Sequence, residues 1–266
     1  MFRWSDLMSP NGQPPSALTT GLVVFLFALF CLNKVFSIND SMSLSPRQVF
    51  NIGRLSNYPL AHVSLLHLLF NVVSLVGPLN VFESQHGTVH TGVVLNLTAV
   101  ITGLLYCVFG RLFYPDTSIA GASGWCFTLF GYFSYKESVI SPRYHIPNSN
   151  FAFPTVLVPM VLLILISIFV PGVSFWGHFF ALIVGYFIGA KEKVFRKIMP
   201  PSWIIEKIEE KAERLIRLIP SWVKFYREKD MTERDVAKYS SLFAPQDPLP
   251  LHNDSQPSGG RVLGTA

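Results

Sequence analysis

Residues 174–190 read SFWGHFFALIVGYFIGA, a run that is apolar or aromatic apart from Ser174 at its start and one histidine, His178. Its length approaches that of a helix crossing the hydrocarbon core of a bilayer. Behind the histidine, Ala181, Gly185 and Gly189 recur every four residues and so share one helix face. A stripe of small residues lets a second helix come close in lipid, where van der Waals packing and not water exclusion holds helices together. The fourth apolar run is the expected partner. A histidine at membrane depth is expensive to keep, and such residues default to functional hypotheses.

Five further runs of similar character precede this one, at about 17–36, 60–82, 89–110, 118–136 and 154–171. Together they predict an all-α polytopic membrane protein, a six-helix bundle over residues 17–190. Composition agrees: half of the chain is hydrophobic and only 14% is charged, where soluble domains carry about 25%. The net charge of +5 does not point to nucleic acid, because the basic residues gather after the last span. The first run lacks a small-residue cleavage site and closes at Asn33-Lys34, so it reads as a retained helix and not a signal peptide. Cys31, Cys107 and Cys126 all fall in apolar runs, where they read as packing residues.

Lys191, Lys193, Arg196 and Lys197 place the end of the sixth span in the cytoplasm. Six crossings then put residues 1–16 on the same side, and the loops at 37–58, 111–117 and 172–173 on the other. Lys34, Arg47 and Arg54 run against this orientation but are less dense. The loop 37–58 is polar and reads as lying outside the core; Asn39-Asp40-Ser41 within it is a glycosylation pattern. Within the basic segment 191–229, residues 201–226 predict an amphipathic helix with a break at Pro220. It would lie on the cytoplasmic leaflet or serve as a docking site. Residues 230–266 are rich in Pro, Gly, Ser and Asp and read as a disordered tail.

The polar residues inside the spans are not scattered. His62, His67 and Asn71 fall in the N-terminal half of the second span, Ser123 in the first turns of the fourth, and His178 in the first turns of the sixth. Even-numbered spans run in the same direction, so all five occupy the leaflet opposite the cytoplasm. His67 and Asn71, four apart, share a helix face. Gly121, Ala122 and Gly124 leave the Ser123 hydroxyl approachable, and Phe127 lies one turn below it, where a ring can support an imidazole. A serine needs a base within hydrogen-bond reach to become a nucleophile, and histidine is the usual one. Separately, Ser123 reads as a helix-packing hydroxyl, His178 as snorkelling to the interface, and His67 with Asn71 as glue between helices. Their joint placement argues for one shared site.

At these residues the chain resembles the rhomboid family of intramembrane proteases, over roughly residues 54–190. The motifs are His67-Leu68-Leu69-Phe70-Asn71 with His62 before it, Gly121-Ala122-Ser123-Gly124, and His178 followed by small residues through Gly189. The resemblance implies a six-span rhomboid bundle with a Ser123–His178 dyad lacking an acid. It further implies an oxyanion site from the Ser123 backbone N–H with the His67 and Asn71 side chains, Phe127 beneath His178, and Glu83 as a brace between helices. It implies cleavage of single-span or multi-span membrane proteins within or near a transmembrane segment, with no metal or other cofactor. The whole chain looks most like fungal six-span rhomboids of Golgi or endosomal membranes. Two features depart from the pattern. The first loop is short and lacks the usual Trp-Arg pair, with Arg54 near its close, and Ala181 replaces a glycine, which predicts slightly looser packing.

The alternative is a derlin-like, non-proteolytic factor that binds membrane clients. Ser258-Gly259-Gly260-Arg261-Val262-Leu263-Gly264 weakly resembles a motif that recruits a cytosolic AAA ATPase, against the plainer reading of a flexible tail. A transporter would place charged residues deep in its spans, and none lies there. A metalloprotease would pair histidines with a carboxylate as in His-Glu-x-x-His, which His62, His67 and His178 lack. His86 and His90, four apart beyond Glu83 on the cytoplasmic side, read as solvated in preference to metal-binding.

Overall fold

A computed structural model describes residues 14–146 and 149–231. The six apolar runs become α1 (Ala17–Phe36), α2 (Leu65–His86), α3 (Thr88–Phe113), α4 (Ser123–Ile140), α5 (Val158–Phe169) and α6 (Phe175–Ala190). A short antiparallel hairpin, β1 (Arg143–His145) with β2 (Ala152–Pro154), joins α4 to α5, and α7 (Ser202–Lys211) follows the bundle. α1, α2 and α3 are each long and apolar enough to cross a bilayer by themselves. α4, α5 and α6 have 18, 12 and 16 residues.

Three helix starts differ from the sequence reading: that of α5 moves from about 154 to Val158, and the other two bear on the site. α2 begins at Leu65 and not near residue 60, because Ser64 caps it: its hydroxyl accepts from the His67 N–H at 3.1 Å. His62 therefore lies in the loop ahead of α2 and not inside the span. α4 begins at Ser123 itself and not near residue 118. Gly121 ahead of it takes a φ of +110°, a conformation that only glycine adopts cheaply.

α4 is the most enclosed of the six, and α6 lies along it. The Thr128 hydroxyl donates to the Ala181 carbonyl at 3.2 Å. A Cβ on Gly131 would come within 2.6 Å of the Leu182 carbonyl oxygen. Ala181 is fully buried beside Phe127, Leu163 and Leu182.

Glu83, near the end of α2, holds the start of α1. One carboxylate oxygen accepts from the Leu18 N–H and the Thr88 hydroxyl, the other from the N–H and hydroxyl of Thr19, all at 2.8–2.9 Å. The first N–H groups of a helix have no partners within it, so a buried carboxylate there satisfies donors that lipid could not.

The loop before α2 is not outside the core. Leu44, Leu55 and Tyr58 are buried, and Gly103 of α3 makes room for the first two: a Cβ there would meet them at 2.9 and 3.0 Å. Arg54 ties the loop to itself by donating to the Ser43 carbonyl at 2.5 Å. His86 and His90 are half-buried and stacked on each other at 5.9 Å, with His86 also on Phe82 at 4.0 Å, so each has one packed side.

The predicted helix over 201–226 is broken. α7 stops at Lys211, one further turn spans Glu213–Ile216, and the chain then folds back across the bundle. There Ala17 N–H donates to the Lys224 carbonyl and Thr88 N–H to the Tyr226 carbonyl, both at 2.9 Å. Glu228 N–H donates to the buried Glu209 carboxylate at 3.0 Å. The backbone finds partners on α1 and α3 that a single continuous helix would not offer. Residues 1–13 and 232–266, including most of the predicted tail and its Ser258–Gly264 motif, lie outside the described residues.

Candidate active site

Ser123 owes its position to the loop ahead of α4. Leu44 and Ile119 exchange backbone hydrogen bonds at 3.0 and 2.9 Å, and Gly121 N–H donates to the Tyr58 carbonyl at 2.9 Å. Ala122 N–H donates to His62 Nε2 at 3.4 Å. Nε2 is thus the acceptor, so Nδ1 carries the proton and donates to the Leu60 carbonyl at 3.1 Å. Asn39 backs this arrangement by donating from its amide to the His62 carbonyl at 2.8 Å. That amide, a glycosylation candidate by sequence, is already engaged in the fold. As the first residue of α4, Ser123 offers an N–H with no acceptor inside its helix.

His178 comes from the opposite side. Ser174 starts α6 by accepting from the Gly177 N–H at 3.2 Å. One turn on, the His178 ring stacks on Phe127 at 4.7 Å between centroids and 26° between planes. The ring is buried, and its Nε2 lies 2.7 Å from Ser123 Oγ. Its Nδ1 is buried with no hydrogen-bond partner among the described residues.

Two α2 side chains close the site. A Cβ on Gly121 would come within 2.7 Å of His67 Nε2 and 3.0 Å of Asn71 Nδ2, so glycine is what allows both to approach the turn before Ser123. Asn71 Nδ2 and His67 Nδ1 are buried without hydrogen-bond partners among the described residues. Buried unpaired groups of this kind cost about 1–3 kcal/mol each and call for an explanation in function. His62 and His67 face each other at 5.2 Å.

The structure thus gathers Ser123, His178, Phe127, His67, Asn71, Gly121 and His62 around one turn. Gly124 lies 3.7 Å, by the same Cβ measure, from the Tyr58 hydroxyl. Gly185 and Gly189 serve from a distance, along the contact of α6 with α4, and Glu83 stands apart from the site at the start of α1. Tyr58, Asn39 and Ser174 act on the site, although the sequence did not mark them as site residues. Ser174 carried a legible signal, a serine just ahead of an apolar run. The other two carried none, because they act across the fold.

A multi-pass helical bundle that seats a serine hydroxyl within hydrogen-bond reach of a buried histidine fits a membrane-embedded serine hydrolase. The chain belongs to the rhomboid family, and residues 49–193 match the family's Rhomboid domain. It is similar along its whole length to rhomboid-type serine protease 2 of Saccharomyces cerevisiae, with 53% identity over 100% of both chains. It is 45% identical to the protein of the same name in Eremothecium gossypii, over 98% of this chain and 99% of that one. Rhomboid-type serine protease B of Aspergillus fumigatus is 35% identical over 74% of this chain and 72% of its own.

Proposed function

We propose that this chain cleaves membrane-anchored proteins within or near a transmembrane segment through a Ser123–His178 dyad. The observation that carries this is the 2.7 Å separation of Ser123 Oγ and His178 Nε2. In the first step Ser123 Oγ bonds to the scissile carbonyl carbon while its proton passes to His178 Nε2. The carbonyl oxygen becomes an oxyanion, received by the Ser123 N–H, Asn71 Nδ2 and the His67 ring. As the tetrahedral intermediate collapses, the C–N bond breaks and His178 gives its proton to the leaving amine. Water, deprotonated by His178, then releases the acyl group and restores the serine. Oxyanion stabilisation is commonly the largest single contribution in such catalysis, because fixed donors in a dry site need not reorganise. Phe127 fixes the plane of the His178 ring by stacking beneath it.

In this reading residues 17–190 are the protease core, 191–229 a cytoplasmic basic segment, and both termini face the cytoplasm with the site opening on the luminal side. Golgi or endosomal membranes are the proposed location, by likeness to the fungal six-span form. The test is cleavage of a model transmembrane substrate by the purified full chain, beside Ser123→Ala and His178→Ala. Wild-type cleavage with both folded variants inactive supports the dyad. No cleavage of several helix-destabilised substrates, together with retention of an AAA ATPase by residues 258–264, favours the derlin-like reading.

A further inference from the structure

The lipid-facing surface of α6 does not stop where the helix does. Ile183 and Phe187 are exposed on α6, and past its end Val194 and Ile198 continue the row at 50% and 56% exposure, leading to Trp203 on α7. The opposite side of the same stretch is spoken for, since Phe195, Met199 and Ile205 are buried against the bundle. Beyond α7, Leu215, Leu218 and Trp222 are exposed again, at 69%, 77% and 59%. Basic side chains lie among them: Lys193, Lys197, Lys207, Lys211, Arg214 and Arg217 are all exposed. Lys207 sits over the Trp203 ring at 5.0 Å, an aromatic body with a cationic tip as membrane interfaces favour. Of the segment's acidic residues, Glu213 pairs with Arg217 at 3.0 Å. Glu206, Glu209, Glu210 and Glu213 line a separate concavity of about 340 Å³ together with Arg227 and Lys229.

We infer that residues 193–222 form a binding surface for the headgroups of an anionic lipid leaflet, with Trp203, Leu215, Leu218 and Trp222 immersed and the basic side chains on lipid phosphates. Continuity with the lipid-facing row of α6 selects a membrane over a soluble partner, and the excess of basic residues over 193–222, seven against four acidic, selects anionic lipid. Basic residues near such a surface add to its hold in proportion to their number. The same segment leads into the strap that bonds to Ala17 and Thr88, so lipid contact at residue 218 secures a stretch of chain fixed to the starts of α1 and α3.

The test uses the full chain with Leu218→Cys carrying an environment-sensitive fluorophore, in a Cys31→Ser background, since Cys107 and Cys126 are buried. It is reconstituted in phosphatidylcholine vesicles with and without phosphatidylserine, and quenched by lipids bearing a nitroxide near the headgroup. Both leaflets have the same composition and no cleavage is read, so the outcome is independent of orientation and of proteolysis. The expected result is quenching at least about threefold stronger with phosphatidylserine, lost in Lys207→Glu/Lys211→Glu and reproduced by a label at Trp222→Cys. A water-like emission in both compositions overturns the inference and leaves this face to a protein partner. Equal strong quenching in both overturns the anionic preference.

Discussion

Gly185 of α6 faces the carbonyl oxygen of Thr128 on α4 so closely that a Cβ would lie 2.0 Å from it. Thr128 is one residue past Phe127 and five past Ser123, so this contact fixes the spacing of the helices that bring serine and histidine together. Gly189 repeats the approach one turn on, against the Tyr132 carbonyl oxygen at 3.1 Å.

Gly185→Ala forces backbone against backbone, and overpacking of this kind costs about 1–3 kcal/mol or more. The expected outcome is a clear fall in the thermal midpoint in detergent together with loss of cleavage. Gly77→Ala is the control, because its Cβ would meet nothing within 4 Å. It should leave both readings at wild-type level.

Glu83→Gln keeps one acceptor oxygen for Leu18 and Thr88 but turns an NH₂ toward Thr19, whose N–H and hydroxyl then lose their acceptor. A buried unsatisfied donor costs about 1–3 kcal/mol. Thermal unfolding should register that loss. Ser123 and His178 are far from this end of α2, so residual activity per folded molecule should persist.

Asn71→Ala separates a catalytic from a structural role. Its amide donor is buried with no partner among the described residues, so removing it should leave stability unchanged or slightly improved. The rate constant for cleavage should nevertheless fall about 10²–10³-fold with KM little changed. A lower thermal midpoint with normal kcat would mark Asn71 as helix glue instead.

Glu192, just past α6, bonds Lys136 at 2.6 Å and Arg196 at 3.0 Å. Burial alone would raise its carboxyl, but these two partners outweigh it and hold it at about 2. An unfolded glutamate titrates at about 4.3, so the pairing stabilises the fold above that pH and is lost as pH falls toward about 2. Glu192→Gln should therefore be less stable than wild type at neutral pH, with the difference closing across that interval in pH-dependent unfolding.

The spans and the polar set were legible because lipid makes both expensive signals: long apolar runs, and a few groups that must earn their place among them. The Ala181-Gly185-Gly189 stripe carried the α4–α6 contact through its four-residue period. What sequence missed depends on long-range backbone pairing, which leaves no period. His62 read as part of a span because Leu60, Ala61 and Val63 around it are apolar, yet the Ser64 cap delays α2 and frees His62 to hold Ala122. The strap from Lys224 to Glu228 was hidden for the same reason, since its partners at Ala17, Thr88 and Glu209 are set by the fold.

The most direct test of the dyad is covalent labelling of the purified full chain by a fluorophosphonate, with the modified residue located by mass spectrometry. The expected result is a single adduct on Ser123, absent from His178→Ala although that variant unfolds at the wild-type temperature. Labelling at another residue, or undiminished labelling of Ser123 without His178, would contradict it.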